Sequence, residues 1–334
     1  MNICVIGLGY WGPNLLRVFN QLGVLKGGFD RDPSRIQKYE SDATYNHVHF
    51  GMDWETCLGR DDIDGVVIAT PPGSHFEIAM KSLAAGKNVF IEKPMTLCPL
   101  QAENICSLAE DKNLVVMVGH IFLYSSEIIK LKEIISSEDF GDVLYIYTKR
   151  LNLGQVQACG VINDLMAHDV SVVNYLLDRG CDSVSVHGAS HIIKDVEDVA
   201  FVNMKYGNAS AHLHLSWLDP NKVRETIVVG SKQMVVCDSI NKKIDIYNKN
   251  VDISAMESSM SIDYARHLLS YRYGDVVSPY ISVYEPLMVE CKEFVSCIEE
   301  KRQPLADGKL GLDVVKTLVA AKKSFENAGV WEYV

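Results

Sequence analysis

Asp164 and His168 stand four residues apart in Asn163-Asp164-Leu165-Met166-Ala167-His168-Asp169-Val170, a spacing that places both on one face of a helix. A carboxylate beside the side chain whose ordinary pKa lies nearest neutrality is the equipment of a general acid/base. The plain alternative is a histidine salt-bridged on a surface helix. Leu165, Val170, Val172 and Val173 weigh against it, because they make the helix mostly buried and buried charge needs a reason. A second group of candidates closes the run Phe90-Ile91-Glu92-Lys93-Pro94-Met95. Asn88 to Ile91 reads as a short buried strand that Pro94 cannot continue, so Glu92 and Lys93 fall at its carboxyl end. That edge is where ligands lie in open α/β sheets. Lys93 is there either as a solvated loop residue or as an amine aimed into a crevice.

The third group is Gly7-Leu8-Gly9-Tyr10-Trp11-Gly12, set between an apolar strand over 2–6 and the helical pattern from Asn14 to Phe19. GxGxxG is informative in that context. Gly7 permits the turn, Gly9 lets a pyrophosphate approach the backbone, and Gly12 allows close helix packing. The phosphates would meet the free N–H groups of the helix start. A strand from Val24 to Phe29 ends at Asp30, whose carboxylate would accept ribose hydroxyls and repel a 2′-phosphate, favouring NAD. Arg31 leaves NADP open, since a guanidinium there either tolerates the phosphate or stacks on adenine.

These residues need elements to hold them. Strands at Gly65–Ala69, Asn88–Ile91 and Leu114–Val118 alternate with helices, one capped by Ser74 and another from Pro99 to Asp111. The expected architecture is α/β, with an N-terminal Rossmann doubly wound parallel sheet over 1–120. Its strand ends carry Gly7, Asp30, Thr70, Glu92-Lys93 and His120 to one edge. From 121 to 334 a C-terminal α+β domain is expected: a helix over 125–136, a strand over 143–150 and a helix from Val161 to Leu177. β runs follow at 183–189, 198–206, 209–217, 224–230 and 233–238, read as an open antiparallel or mixed sheet, with Tyr206-Gly207-Asn208 as a hairpin turn. Helices at 285–301 and 308–328 end the chain, the latter packing back on the first domain. Residues 249–283, with Tyr271, Tyr273 and Tyr280, read as a long loop.

At 334 residues the chain exceeds the size of one core, and its 48% hydrophobic and 22% charged residues are those of a globular protein. No apolar run is long enough to span a membrane and no basic-flanked leader opens the chain, so a cytoplasmic protein is expected. Nine scattered cysteines without a CxxC pair suit a reducing compartment. A net charge of -11 disfavours a general nucleic-acid binder. His187, His191, His212 and His214 lack partners at ligand spacing, so no metal is expected.

Taken together, Gly7 to Gly12, Thr70-Pro71-Pro72-Gly73-Ser74-His75, Glu92-Lys93-Pro94, Gly119-His120 and Asp164 to His168 resemble the glucose-fructose oxidoreductase/inositol dehydrogenase (Gfo/Idh/MocA) family. The resemblance implies that Thr70, Pro71, Pro72, His75, Glu92, Lys93 and Pro94 join Gly7, Gly9, Tyr10, Trp11, Gly12, Asp30 and Arg31 around the cofactor. It further implies a cis Pro94, Lys93 between nicotinamide and substrate, His168 as proton acceptor with Asp164 nearby, and an open sheet face used in a homodimer or homotetramer. The segments around Arg150, Ser216 to Arg224 and Glu285-Pro286-Leu287 are similar to the nucleotide-sugar 3-dehydrogenase branch, which oxidises the C3 hydroxyl of UDP-N-acetylglucosamine-type sugars or their uronic acids. The chain departs from that branch at Asn163, Ala167 and Gln157. His120, Tyr124, Arg150, Asn152 and Asn163 are candidate sugar contacts, with Lys222 and Arg224 for a diphosphate. The alternatives are a dehydrogenase of a free sugar or inositol-type polyol and a non-catalytic cofactor-binding protein; the presence of Lys93, Asp164 and His168 speaks against the last.

Overall fold

The computed structural model describes residues 1–252 and 270–334. The chain divides into two compact units, Met1–Tyr124 with Glu285–Val319 and Ser125–Tyr284 with Ala320–Val334.

The first unit is built on six parallel strands: β1 (Ile3–Ile6), β2 (Leu25–Phe29), β3 (His49–Gly51), β4 (Gly65–Ile68), β5 (Asn88–Glu92) and β6 (Val116–Gly119). Their order is β3-β2-β1-β4-β5-β6, which reverses direction beside β1 and so creates a topological switch point. β1 and β4 are buried throughout, as strands covered on both faces must be. On one face α1 (Gly12–Gln21) buries Leu15, Leu16, Val18 and Phe19. The Pro286–Glu300 helix lies beside it and sets Phe294 edge-on to Phe19 and Phe90, with ring centroids 6.4 and 5.7 Å away. Those aromatic contacts place this helix in the first unit, whereas the sequence assigned it to the second domain. On the other face α3 (His75–Ala84) and α4 (Pro99–Lys112) supply Ile78, Leu83, Ala102 and Ile105 to a core with Ile6, Ile68, Val89 and Ile91.

Among the elements of this unit that were not anticipated are a helix and a strand. α2 (Pro33–Glu40) is announced by Asp32, whose Oδ1 accepts the Ser34 N–H at 2.9 Å, and by Pro33 at its first position. β3 has three residues, too few to show a period. Ser74 does not cap α3: its hydroxyl lies 2.8 Å from Thr70 Oγ1 and 2.9 Å from Pro71 O, because a 3₁₀ turn over Pro72–Ser74 leads directly into the helix.

The second unit contains a nine-stranded sheet. It comprises β7 (Val143–Leu153), β8 (Ser183–Ala189), β9 (Val199–Tyr206), β10 (Ala209–Ser216), β11 (Leu218–Gly230), β12 (Met234–Asp238), β13 (Lys243–Tyr247), Val276–Val277 and Glu332–Tyr333. The sheet is mixed, since β7 and β10 run parallel in register Ser210↔Tyr145 to Ser216↔Leu151 while the other pairs are antiparallel. Along β9, Ala200, Val202, Met204 and Tyr206 are buried and alternate with exposed residues, so one face is core and the other open. α5 (Ser126–Ile135) and α6 (Ala167–Leu177) bring buried apolar residues to this unit's core. The loop expected over 249–283 is partly structured. Asn250–Asp252 pairs with Ser270–Arg272, and Val276–Val277 pairs with β13; residues 253–269 of that span lie outside the described residues. No helix among the described residues is long and apolar enough to cross a membrane.

Candidate active site

The glycine turn joins β1 to α1. Gly7 has φ +94°, and a side-chain carbon there would lie 2.7 Å from the Ala69 carbonyl carbon and 2.8 Å from the Thr70 nitrogen, so both backbone angle and space demand glycine. A methyl at Gly12 would overlap the Gly7 carbonyl oxygen, which is how closely α1 sits on the turn. At Gly9 the nearest atom would be Arg35 Nη1 at 3.3 Å, the far end of a half-exposed, flexible side chain. α1 opens with no side-chain cap and no acidic residue in its first turn, leaving its N–H groups and positive dipole end to an anion. Asp30 is buried and preset: Oδ2 accepts the Leu8 N–H at 2.7 Å and Oδ1 the Asp32 N–H at 2.9 Å. Arg35, which the sequence did not single out, approaches Asp30 Oδ2 to 3.2 Å, whereas Arg31 is exposed. The open approach over Gly9, the uncapped helix start and the placed carboxylate fit a dinucleotide.

At the same strand edge Tyr10 is exposed and the Trp11 indole donates to the Glu92 carboxylate, tying the glycine turn to the end of β5. The Lys93–Pro94 peptide is cis. His75 is fully buried, with Nδ1 3.0 Å from Pro94 O and Nε2 2.8 Å from Thr70 O. Two carbonyl partners favour a charged ring, but burial outweighs them and lowers the pKa. His75 thus bridges the loops after β4 and β5, where the motif suggested a residue around the cofactor. Thr70 and Pro72 are half-buried and Pro71 is exposed.

Two expected sugar contacts are closed in. His120 is 1% exposed, neither ring nitrogen has a partner among the described residues, and burial together with the Lys93 charge pushes its pKa down to about 3. Tyr124 is buried and its hydroxyl accepts the Ala306 N–H at 3.3 Å, bracing the chain that enters the Gly308–Glu326 helix.

In the second unit, chemistry collects at the end of β7. Arg150 donates through Nε and Nη2 to Asp169 Oδ1 at 3.0 and 2.7 Å, both side chains being buried. Arg150 therefore binds β7 to α6 through this ion pair. Asn152 Oδ1 accepts from Arg224 Nη2 at 3.0 Å, and Arg224 Nη1 donates to Leu151 O and Val223 O, each at 2.9 Å. Burial pulls the Arg224 pKa down to about 10. Asn163 donates to Cys159 O at 3.0 Å. Asp164 and His168, both partly buried, straddle a change in the helix: Ile162–Met166 is a π turn and α6 begins at Ala167. Four residues are a little more than an α turn and a little less than a π turn, so the two remain on one face. Glu197 fixes the start of this turn, accepting the Ile162 N–H at 3.3 Å and Lys322 Nζ at 2.8 Å. No sequence signal links residues so far apart.

His191 Nδ1 lies 2.8 Å from Asp198 Oδ1, His212 Nδ1 2.9 Å from Asn203 Oδ1, and His214 stacks on Phe201. Among the described residues no group of three His, Cys, Asp or Glu is placed to hold a metal ion.

Residues 1–120 match the model of an oxidoreductase family with an NAD-binding Rossmann fold, and residues 128–236 match the GFO/IDH/MocA C-terminal domain. The UDP-N-acetylglucosamine 3-dehydrogenase of Acidithiobacillus ferrooxidans is 24% identical over 334 residues, covering 98% of this chain and 97% of its own. An inositol 2-dehydrogenase of Rhodococcus erythropolis is 29% identical over 196 residues, 56% of this chain and 55% of its own. Among solved structures, that A. ferrooxidans enzyme superposes with a TM-score of 0.83 at 23% identity over 98% of both chains. GenD2 from gentamicin A biosynthesis, solved with NAD, superposes with a TM-score of 0.80 at 20% identity over 100% of this chain and 96% of its own. These two share the fold.

Proposed function

We propose, for a chain that belongs to the GFO/IDH/MocA family of NAD-binding oxidoreductases, that it oxidises the C3 hydroxyl of a nucleotide-linked amino sugar of the UDP-N-acetylglucosamine type. The observation that carries this reading is the π turn under Asp164 and His168, since such interruptions of a helix are frequent at functional sites. Support for the sugar comes from the A. ferrooxidans 3-dehydrogenase, whose similarity runs through both units. NAD, held by the glycine turn, Asp30 and the loops after β4 and β5, supplies the hydride acceptor. His168 takes the proton of the sugar hydroxyl, Asp164 orients that hydroxyl or the imidazole, and Lys93 donates to the oxygen as charge develops on it. Tyr145 and Phe201 on the open sheet face are exposed apolar groups, and a homodimer or homotetramer through them is part of the reading.

Oxidation of a free inositol-type polyol is the second reading. It is favoured by the engagement of Arg150 and Arg224 inside their own unit, which leaves Lys222 as the exposed cation on the Leu218–Arg224 stretch for a diphosphate. Purified protein offered NAD with UDP-N-acetylglucosamine, its uronic acid or myo-inositol, and followed by absorbance of reduced nicotinamide, separates the two. Turnover of inositol alone displaces the nucleotide sugar. His168→Asn is expected to lower kcat about a hundredfold to ten-thousandfold at neutral pH while NAD affinity holds. Near-normal turnover of that variant removes His168 as the base.

A further inference from the structure

The π turn that carries Asp164 begins without a cap of its own. Cys159-Gly160-Val161 leads into it and offers no side-chain oxygen to the first N–H groups of the helix, which find no acceptor within the helix itself. Glu197, just ahead of β9 and 35 positions from Ile162, supplies the acceptors instead. Its backbone oxygen takes the Val161 N–H at 3.0 Å and its Oε1 the Ile162 N–H at 3.3 Å. Both bonds fall within one turn of Asp164.

Glu197 is 0% exposed, and its charge is balanced by Lys322 Nζ, 2.8 Å from Oε2. Gly160 makes room for the carboxylate: its φ is +76°, and a side-chain carbon there would overlap Glu197 Oε1. The side chain of Lys322 is 31% exposed and reaches water without help, so the ion pair alone is no reason to bury a carboxylate. The backbone N–H groups at the start of the turn do need an acceptor.

We propose that Glu197 is a positioning residue for the oxidation, a cap delivered from a distant part of the chain that holds the π turn and so sets where Asp164 and His168 stand. The role rests on the reading of those two residues as the groups that handle the sugar hydroxyl and its proton. Without the Oε1 acceptor the first turn loses its anchor and relaxes toward α geometry, which changes the angle between Asp164 and His168.

Glu197→Gln and Glu197→Asp test this against a merely structural ion pair. The amide keeps the reach of the oxygen and loses the charge; the shorter acid keeps the charge, which the long Lys322 side chain can follow, and loses the reach. Amide hydrogen exchange over 161–168, read by mass spectrometry, reports on the turn. Its consequence is read from kcat with UDP-N-acetylglucosamine and with myo-inositol, beside the Kd of NAD. Glu197→Asp should speed exchange at the start of the turn and lower kcat about tenfold to a hundredfold, the upper figure being the cost of a roughly 1 Å misplacement, while NAD affinity holds. Glu197→Gln should keep exchange and kcat near wild type, and Gly160→Ala, which expels the same carboxylate, should behave as Glu197→Asp does. The reverse order, with Glu197→Gln the damaged variant, marks an ion-pair role and overturns the proposal, as does wild-type exchange or wild-type kcat in Glu197→Asp. Failure of the underlying reading shows earlier, in a wild type that binds NAD and oxidises neither compound, and it takes this role of Glu197 with it.

Discussion

Gly9→Ala and Gly12→Ala add the same methyl three residues apart in the same turn, yet the structure assigns them opposite consequences. At Gly12 the new carbon overlaps the Gly7 oxygen and lies 2.9 Å from the Gly7 carbonyl carbon. Carbon centres ordinarily rest about 3.5–4.0 Å apart, so turn and helix must separate by roughly 0.6–1.1 Å for that contact and further to clear the oxygen. Overpacking of that kind costs about 1–3 kcal/mol, and each kcal/mol lowers Tm by about 2–4 °C for a folding unit of some 150–250 residues, the range into which the first unit falls. At Gly9 the methyl meets only Arg35 Nη1 at 3.3 Å and its Cζ at 4.0 Å, which a half-exposed side chain relieves by rotating. Stability should stay within about 0.5 kcal/mol of wild type. The same methyl nevertheless stands where a pyrophosphate must approach the backbone, so NAD affinity should fall at least about tenfold, or 1.4 kcal/mol. Thermal melts by circular dichroism read the first quantity and calorimetric titration the second. Wild-type NAD affinity in Gly9→Ala would refute the cradle, and an unchanged Tm in Gly12→Ala would refute the packing.

Arg150→Met should destabilise the protein by about 3–5 kcal/mol in urea unfolding, because it strands the buried Asp169 carboxylate; the double variant with Asp169→Leu should recover most of the loss, and a single variant as stable as wild type dismisses the pair. Asp30→Ser removes the charge that opposes a 2′-phosphate while Arg35 stays beside it, so NADP affinity should gain roughly tenfold relative to NAD; competition binding showing an unaltered ratio argues against Asp30 as the discriminator. Glu92 has a folded-state pKa raised from 4.5 to about 7, so its contribution to stability is full below 4.5 and is lost as pH rises towards 7. Melts across that window should show a decline that Glu92→Gln lessens by removing the buried carboxyl, and parallel declines in the two proteins contradict its burial as the cause.

Much of this architecture was legible along the chain because its causes are local. A strand followed by GxGxxG and an amphipathic helix can close in few ways, and Pro94 must end the strand that delivers Lys93. The four-residue spacing of Asp164 and His168 survives the π turn beneath it. Short edge strands such as β3, Val276–Val277 and Glu332–Tyr333 were missed because two or three residues show no period.

The order of glycines, prolines and apolar residues by itself determined the parallel sheet, the edge to which its strand ends bring Gly7, Asp30 and Lys93, and the common helix face of Asp164 and His168. Only the tertiary structure decided which polar groups remain available: it turned Arg150 onto Asp169, closed Tyr124 against Ala306, made His75 a bridge and brought Glu197 to the start of the π turn. The physical reason is that a secondary-structure signal repeats within a few residues, whereas a buried polar group must find its partner wherever packing brings one, here across 19 to 182 positions of chain.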